Sequence, residues 1–350
     1  MLFHHLNGTL LYVMITVSLC MIVKNESAVL ARCLDTVADL VDEIIIVDTG
    51  SKDNTKLIAS AFTDQIYDFK WVDDFSAARN YAFSLCSCDY IYSADADEIL
   101  DEENRERFRF LKESLTPDSD IEIVQMYYGN QLENGTVYNF DRELRPKMFK
   151  RLRTFKWVER VHETIRELPL VFDSEIEITH KPIKNHASRD YGIFERIILE
   201  DERLSPRLFE FYAKELFVSG EKDDFKRAED YFTQVADDEE TDTDMLNVAL
   251  CIVVKAAYWR KDYLKMYRYA MKAIASEPCS EICFLLGDYY EDLRDYKEAA
   301  IWYYNAAFEC HSILNIQYEK EYPLQGLVDV YNALGLVEQA YEYEKMLEEE

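Results

Sequence analysis

The sequence predicts a two-part chain. An α/β domain, with a mainly parallel sheet and helices on both faces, spans residues 16–190, and an all-α domain of stacked helix pairs spans 191–350. Two observations predict it. Between residues 16 and 92 short apolar runs alternate with helix-spaced segments, the pattern of successive βα units. After Tyr191 the strand signals vanish, and small and aromatic residues recur at the spacing of helical hairpins. A length of 350 residues suits about two domains. A hydrophobic content of 49% is enough to fill two cores, which excludes wholesale disorder.

The first element is Thr16–Val23, an apolar run of the kind that forms a central strand buried on both faces. Residues 1–15 read as a leader. The stretch Leu6–Val23 carries no charge, but it contains Asn7, Gly8, Thr9, Thr16 and Ser18, lacks a basic flank and is short for a span, so no integral membrane segment is expected. Ser27–Leu40 has apolar residues at helical spacing (Val29, Leu30, Cys33, Leu34, Val37, Leu40). Ile44–Val47 is the second strand and ends at Asp48; Thr49-Gly50-Ser51 turns, and Asp53-Asn54-Thr55 opens a second helix. Ile66–Phe69 and Tyr90–Tyr92 are further strands, separated by a helix over Asp74–Leu85. Lys24-Asn25-Glu26, Asp48 and the pair Asp95/Asp97 therefore all lie at strand C-termini, where open parallel sheets bind ligands.

Asp95-Ala96-Asp97 is the chemical centre of this reading. In an extended segment residues i and i+2 share a face, so the two carboxylates are expected side by side. Like charges that close repel unless a cation lies between them. Mg²⁺ or Mn²⁺, which take oxygen ligands and bridge phosphates, are the natural partners. The competing reading is a solvated acidic turn ahead of the next helix, and with 68 acidic residues an isolated Asp-x-Asp is weak evidence. No GxGxxG or GxxxxGK[ST] is present, so neither a dinucleotide fold nor a P-loop is expected. A net charge of −29 argues against nucleic-acid binding. The eight cysteines show no CxxC spacing and sit among apolar residues, as suits a reducing cytoplasm.

Further along, Asp101–Leu115 reads as a charged helix and Ile121–Tyr128 as a strand, with Asn134-Gly135 a hairpin turn that adds an antiparallel edge to the sheet. Arg142–Arg166 reverses the overall charge and would attract an anionic ligand. In the second half Ser280–Cys310 is the clearest repeat unit, with Leu286-Gly287, Tyr290, Ala299, Tyr303 and Ala306 at tetratricopeptide spacing. Leu324–Leu347 is a looser copy, with Glu344 in the place of Tyr303 and Tyr343 one residue early; Arg207–Ala236 and Asn247–Pro278 are weaker still.

The segments SLCMIVKNE (18–26), DEIIIVDTGSKDNT (42–55), DDFSAARNYAF (73–83) and SADADEIL (93–100) together resemble family 2 glycosyltransferases of the GT-A fold. More narrowly they resemble the SunS-type bacterial branch, which carries tetratricopeptide repeats behind the catalytic domain. The resemblance implies a metal-dependent, inverting hexosyltransferase that uses a UDP-sugar donor. It places Val23 and Glu26 beside the nucleotide base, Asp48 on uracil or ribose with Ser51 in the same loop, and Arg79 near the diphosphate or base pocket. Asp95 would face ribose and sugar, and Asp97 would bind the metal. Val161-His162-Glu163 resembles the family's VHE motif, which makes Glu163 the candidate base. His180 matches a family histidine that supplies a further metal ligand, with His186 as the alternative.

Plainer readings stand beside these: Asp48 as a turn residue, Glu26 as a helix cap, Arg79 paired with Asp73 or Asp74, and Glu163 paired with Arg160 or Arg166. The expected acceptor is a peptide or protein side chain presented by the repeats, with a cell-surface glycan or lipid-linked acceptor as the alternative. A repeat scaffold with an inactive transferase domain is the reading from a different class. A homodimer is the other partner considered.

Overall fold

The computed structural model describes residues 5–6, 9–10, 14–129, 142–181, 187–200 and 203–349. Its contacts separate two compact units, one within residues 1–186 and the other from residue 187 onward. In the expected leader, β1 (His5–Leu6) and β2 (Thr9–Leu10) pair with each other in a small sheet of their own.

The first unit is built on an eight-stranded sheet. Its strands are β3 (Val17–Val23), β4 (Glu43–Asp48), β5 (Ile66–Asp68), β6 (Tyr90–Ser93), β7 (Glu98–Ile99), β8 (Ile123–Gly129) and β9 (Glu143–Lys150). β10 (Trp157–Val158) and β11 (Thr164–Ile165) form a separate hairpin, and β12 (Val171–His180) returns to the large sheet. The spatial order is β5-β4-β3-β6-β9-β8-β12-β7. The first four strands are mutually parallel, β8 and β12 are parallel, and β9 and β7 run antiparallel to their neighbours.

Helices α1 (Leu30–Val37), α2 (Thr55–Ala59), α3 (Phe75–Leu85) and α4 (Glu102–Ser114) cover the sheet. Alternation along β3 divides the core, since successive side chains point to opposite faces. Leu19, Met21 and Val23 pack with α1 and α4, whereas Cys20 and Ile22 pack with Ala82 and Phe83 of α3. Each such buried aliphatic contributes roughly 1.5–3 kcal/mol, so β3 anchors both layers at once.

The structure corrects the sequence reading in three places. First, α1 starts at Leu30 rather than Ser27: residues 27–29 form a turn that leads into it, with the N–H groups of Val29 and Leu30 on the Glu26 carbonyl. Second, the antiparallel strand β9 that follows β8 is not at the edge but inside the sheet between β6 and β8; the antiparallel edge is the two-residue β7. The Asn134-Gly135 turn falls outside the described residues. Third, Asp95-Ala96-Asp97 is not extended. β6 ends at Ser93, the N–H of Glu98 bonds the Asp95 carbonyl at 3.2 Å, and the chain turns into β7.

The second unit is helical throughout its described residues: α5 (Ala187–Leu199), then α6 (Pro206–Ser219) with α7 (Lys222–Asp237), and α8 (Thr243–Trp259) with α9 (Tyr263–Ser276). They are followed by α10 (Ser280–Asp292) with α11 (Tyr296–Tyr304), and α12 (Glu321–Ala333) with α13 (Val337–Glu349). Side-chain caps from Ser205, Asp242, Asp262 and Asp295 start α6, α8, α9 and α11. In the clearest repeat Tyr303 is wedged between helices. A Cβ on Gly287 would lie 2.5 Å from its ring and one on Gly326 2.7 Å, so both positions need glycine for close approach. In the looser repeat Tyr343 stacks on Tyr331, with centroids 5.6 Å apart and planes 15° from parallel, and Glu344 is exposed. The one-residue slip therefore still fills the helix interface with an aromatic.

Candidate active site

The C-terminal ends of β3 and β4 open into two loops that are laced together. Asn25, at a left-handed φ of 57°, donates its N–H to Ser51 Oγ at 2.8 Å and accepts from Lys52 N–H through Oδ1 at 2.7 Å. Asp53 accepts from Thr55 and Ser27; burial alone would raise its pKa, but these hydrogen bonds hold it well below the usual carboxylate range. Asp48 closes β4 and is 1% exposed. Its Oδ1 accepts the N–H groups of Gly50 (2.9 Å) and Ser51 (2.8 Å), while Oδ2 is buried with no hydrogen-bond partner. A buried acceptor without a donor is costly, so Asp48 Oδ2 is a ready acceptor for a ligand N–H or O–H. Glu26 is half-buried in the same loop. The Val23 side chain lies in the core at 2% exposure, and its carbonyl bonds Thr49, so it backs the loops rather than lining them.

The second cluster forms around Arg79 of α3. Its Nε and one terminal nitrogen both reach Glu163 Oε1 at 2.7 Å, the other terminal nitrogen donates to Ser93 Oγ, and Asp95 Oδ1 stands 3.7 Å away. The guanidinium also stacks 4.9 Å from the Trp157 ring. Neither Arg79 nor Glu163 takes the surface partner that the plainer readings gave it; each holds the other. Burial would lower the Arg79 pKa, but Glu163 and Asp95 outweigh it and raise it further. The β10–β11 segment that carries Glu163 is fixed to α3 by Asn80, which bonds both the N–H and the carbonyl of Trp157, and by Phe75 N–H to the Arg160 carbonyl. Glu159 (φ 71°) and His162 (φ 47°) are left-handed here, a backbone cost borne next to Glu163.

The third cluster is Asp97 with His180. β7 pairs with the end of β12, placing Glu98 opposite His180, and Asp97 Oδ2 lies 3.1 Å from His180 Nε2. His180 is the last residue of β12, with the Tyr128 ring 5.2 Å away. The two atoms bond each other, and between them they offer one carboxylate oxygen and one imidazole nitrogen, ligand types that a divalent cation such as Mg²⁺ or Mn²⁺ accepts. Asp95, half-exposed, is turned toward Arg79 rather than into this pair, so the two carboxylates expected side by side divide between two clusters. Partial desolvation would raise the Asp95 pKa, yet Lys147, Arg79, His180 and Arg145 bring it to about 2. His186 lies outside the described residues.

Lys147 and Glu98 were not singled out by the sequence. Val124 pairs with Met148 and Gln125 with Pro146, leaving Lys147 as the extra residue of a bulge in β9. Its ammonium is buried against Glu98, with side-chain exposures of 8% and 2%. Glu98 Oε2 has no partner, and burial followed by Asp95 and Asp97 lifts the Glu98 pKa to about 7 despite Lys147. The available signal was Pro146, which cannot donate to a sheet ladder and marks a bulge.

Residues 18–172 match the family model described as glycosyl transferase family 2. This stretch is a family 2 glycosyltransferase domain. The family 2 domain has the GT-A arrangement of a mainly parallel sheet, and a run of helices follows it. The SPbeta prophage-derived glycosyltransferase SunS of Bacillus subtilis is 30% identical over 217 residues, 58% of this chain and 50% of SunS. A TPR repeat-containing protein of Synechococcus elongatus is 51% identical over 87 residues, 25% of this chain and 22% of that protein. An uncharacterized glycosyltransferase of Rickettsia prowazekii is 33% identical over 119 residues, 33% of this chain and 40% of that protein. The chain thus spans half the length of SunS and less of the other two. Among solved structures, glucosyl-3-phosphoglycerate synthase from Mycobacterium tuberculosis, in complex with Mn²⁺ and UDP-glucose, is 15% identical. It covers 55% of this chain and 81% of its own, with a TM-score of 0.38. No helix among the described residues is long and apolar enough to cross a membrane.

Proposed function

We propose that the family 2 domain transfers a hexose, with inversion, from a UDP-sugar to a peptide or protein side chain presented by the helical repeats. The observation that carries the donor half is that Asp48, Asp95, Asp97 and His180 lie at or just past the C-terminal ends of β4, β6 and β12, with Arg79 of α3 3.7 Å from Asp95 and Asp97 3.1 Å from His180. Asp48 Oδ2 accepts from the uracil or ribose of the nucleotide, in the loop that Ser51 and Asn25 brace. Asp97 and His180 hold Mg²⁺ or Mn²⁺, which when bound offsets the negative charge on the departing diphosphate. Asp95, ionised at any neutral pH, orients ribose and sugar. Arg79 keeps Glu163 in place through Oε1. Glu163 removes the acceptor proton, a role that needs the carboxylate within hydrogen-bond reach of the acceptor. A cytoplasmic setting belongs to the same reading, in keeping with eight free cysteines.

Calorimetric titration of UDP and UDP-glucose, with Mn²⁺ and then with EDTA, tests the donor half. Binding that needs the metal and is lost in Asp97→Ala is the expected result. Glu163→Gln is expected to keep UDP affinity while turnover falls about 10²–10⁴-fold. If no UDP-, GDP- or dTDP-sugar binds, the transferase reading fails and the repeats remain as the functional part.

A further inference from the structure

Four of the cysteines, all in the second unit, are paired in space. In the second unit Cys251 Sγ and Cys279 Sγ are 3.4 Å apart, and Cys283 Sγ and Cys310 Sγ 3.6 Å apart. Glu281 lies near the first pair, in a grouping with the outward look of a metal site. Its carboxylate is already committed, however: Oε1 accepts the N–H groups of Ile313, Leu314 and Asn315, and Oε2 also accepts from Ile313. Glu281 therefore anchors the loop after Cys310, and two thiols alone fall short of a closed tetrahedral site.

We propose that Cys283 and Cys310 form an oxidisable dithiol, a modification site in which Cys310 reacts first with a small peroxide and Cys283 then closes a disulfide. Access sets the order. Cys310 follows a π-helical turn (305–309) at the end of α11, is 9% exposed, and lines a cavity of about 840 Å³ together with Met245, Asn247, Val248 and Ile313. Cys283 lies within α10 at 1% exposure and does not line that cavity. The chemistry points the same way. The hydrogen bond between the two thiols lowers the Cys310 pKa from its ordinary value, while the same hydrogen bond and then burial push Cys283 up. A thiolate is the form that attacks peroxide.

The Cys310 sulfur attacks the O–O bond of hydrogen peroxide, giving a sulfenic acid and one water. Cys283 sulfur then attacks the sulfenic sulfur, the S–O bond breaks, and the oxygen leaves as a second water with the remaining thiol proton. Two thiols and one peroxide thus become one disulfide and two waters. Closing the bond shortens the sulfur separation by about 1.5 Å, a local movement at the end of a helix. Cys279 of the other pair also lines the cavity, but it is less exposed than Cys310 (4% against 9%) and its partner Cys251 is fully buried, with a thiol that burial pushes well up.

The test uses the full chain and does not depend on the transferase reading. Hydrogen peroxide treatment, alkylation under denaturing conditions and peptide mass mapping should show loss of two of the eight thiols. One cross-linked peptide pair should contain Cys283 and Cys310 and be reversed by dithiothreitol. Dimedone should trap a sulfenic acid at Cys310 in C283S, and at neither position in C310S. The proposal is overturned by a Cys251–Cys279 link in its place, by a Cys310 sulfenic acid that never closes in the wild-type chain, or by eight intact thiols under peroxide that oxidises a reference low-pKa thiol. Circular dichroism checks the variants, and the wild-type map decides the matter even if a variant does not fold.

Discussion

Lys147 and Glu98 are where a single residue carries the most electrostatic weight. Removing the cation leaves Glu98 buried beside Asp95 and Asp97, with Oε2 already lacking a partner. Solvent cannot screen the loss, because both side chains are under a tenth exposed. Lys147→Met is therefore expected to destabilise the fold, by less than the roughly 3–5 kcal/mol of a broken buried pair, because a Glu98 whose pKa is already about 7 takes up a proton once the cation is gone. The double variant Glu98→Gln/Lys147→Met should recover most of it, since the uncompensated charge is then gone. Urea unfolding of the four corners of this cycle measures the coupling. Additive losses would mean that the two side chains act independently, and that the bulge in β9 matters only for its backbone.

At the scale of elements, the close approach of α10, α11 and α12 depends on two glycines facing one ring. Tyr303 is held at its hydroxyl by Asp288 (2.8 Å) and Glu291 (2.7 Å), and its ring is 1% exposed, so it cannot swing away from an added methyl group. Gly287→Ala should therefore destabilise the repeats by about 1–3 kcal/mol, against the roughly 1 kcal/mol that alanine gains in an isolated helix. Thermal unfolding reads the sign, and an increase in melting temperature would show that the ring can give way. This contact was legible in the sequence because repeat spacing is local and periodic. Strands β3, β4 and β6 were legible for a similar reason: central strands are continuous apolar runs that end at their functional residues. The Asp95–Asp97 turn was not, because it is set by β7 pairing with Thr179 and His180, a long-range contact that no local pattern encodes. The interior place of β9 and the burial of Lys147 were hidden in the same way. A lysine within a basic run reads as solvated until Pro146 and the bulge are seen against β8. The mutual hold of Arg79 and Glu163 also joins segments far apart in sequence, so sequence could nominate each residue but not their partnership.

For the molecule as a whole, a net charge of −29 makes stability a question of pH, and one buried cation contributes on the alkaline side. Lys255 is 5% exposed, donates to the Tyr318 hydroxyl at 2.7 Å, and is enclosed by the rings of Phe217 (4.3 Å), Phe225 (4.8 Å) and Trp259 (4.8 Å). Burial brings its pKa from 10.5 down to about 7, although Asp288 and Glu281 oppose the shift. Between those values the unfolded chain holds a proton that the folded chain has released, so the stability of the second unit rises with pH across this window. Asp288 acts with the opposite sign below it. Burial lifts its pKa from 3.8 to about 7, so stability falls as pH climbs from the first value to the second. The two effects meet near neutrality; above it Lys255 is opposed by buried thiols and phenols such as Cys251 and Tyr318, whose pKa values burial raises, so its share is read by difference from a variant. Unfolding at about pH 7.5 and about pH 9.5 should show the wild-type chain gaining on the order of 2 kcal/mol relative to Lys255→Met. The loss of the Tyr318 hydrogen bond in the variant shifts both pH values alike and drops out of the comparison. Parallel slopes in the two proteins would place the Lys255 charge in the folded state at alkaline pH, with the aromatic cage stabilising an ammonium rather than an amine.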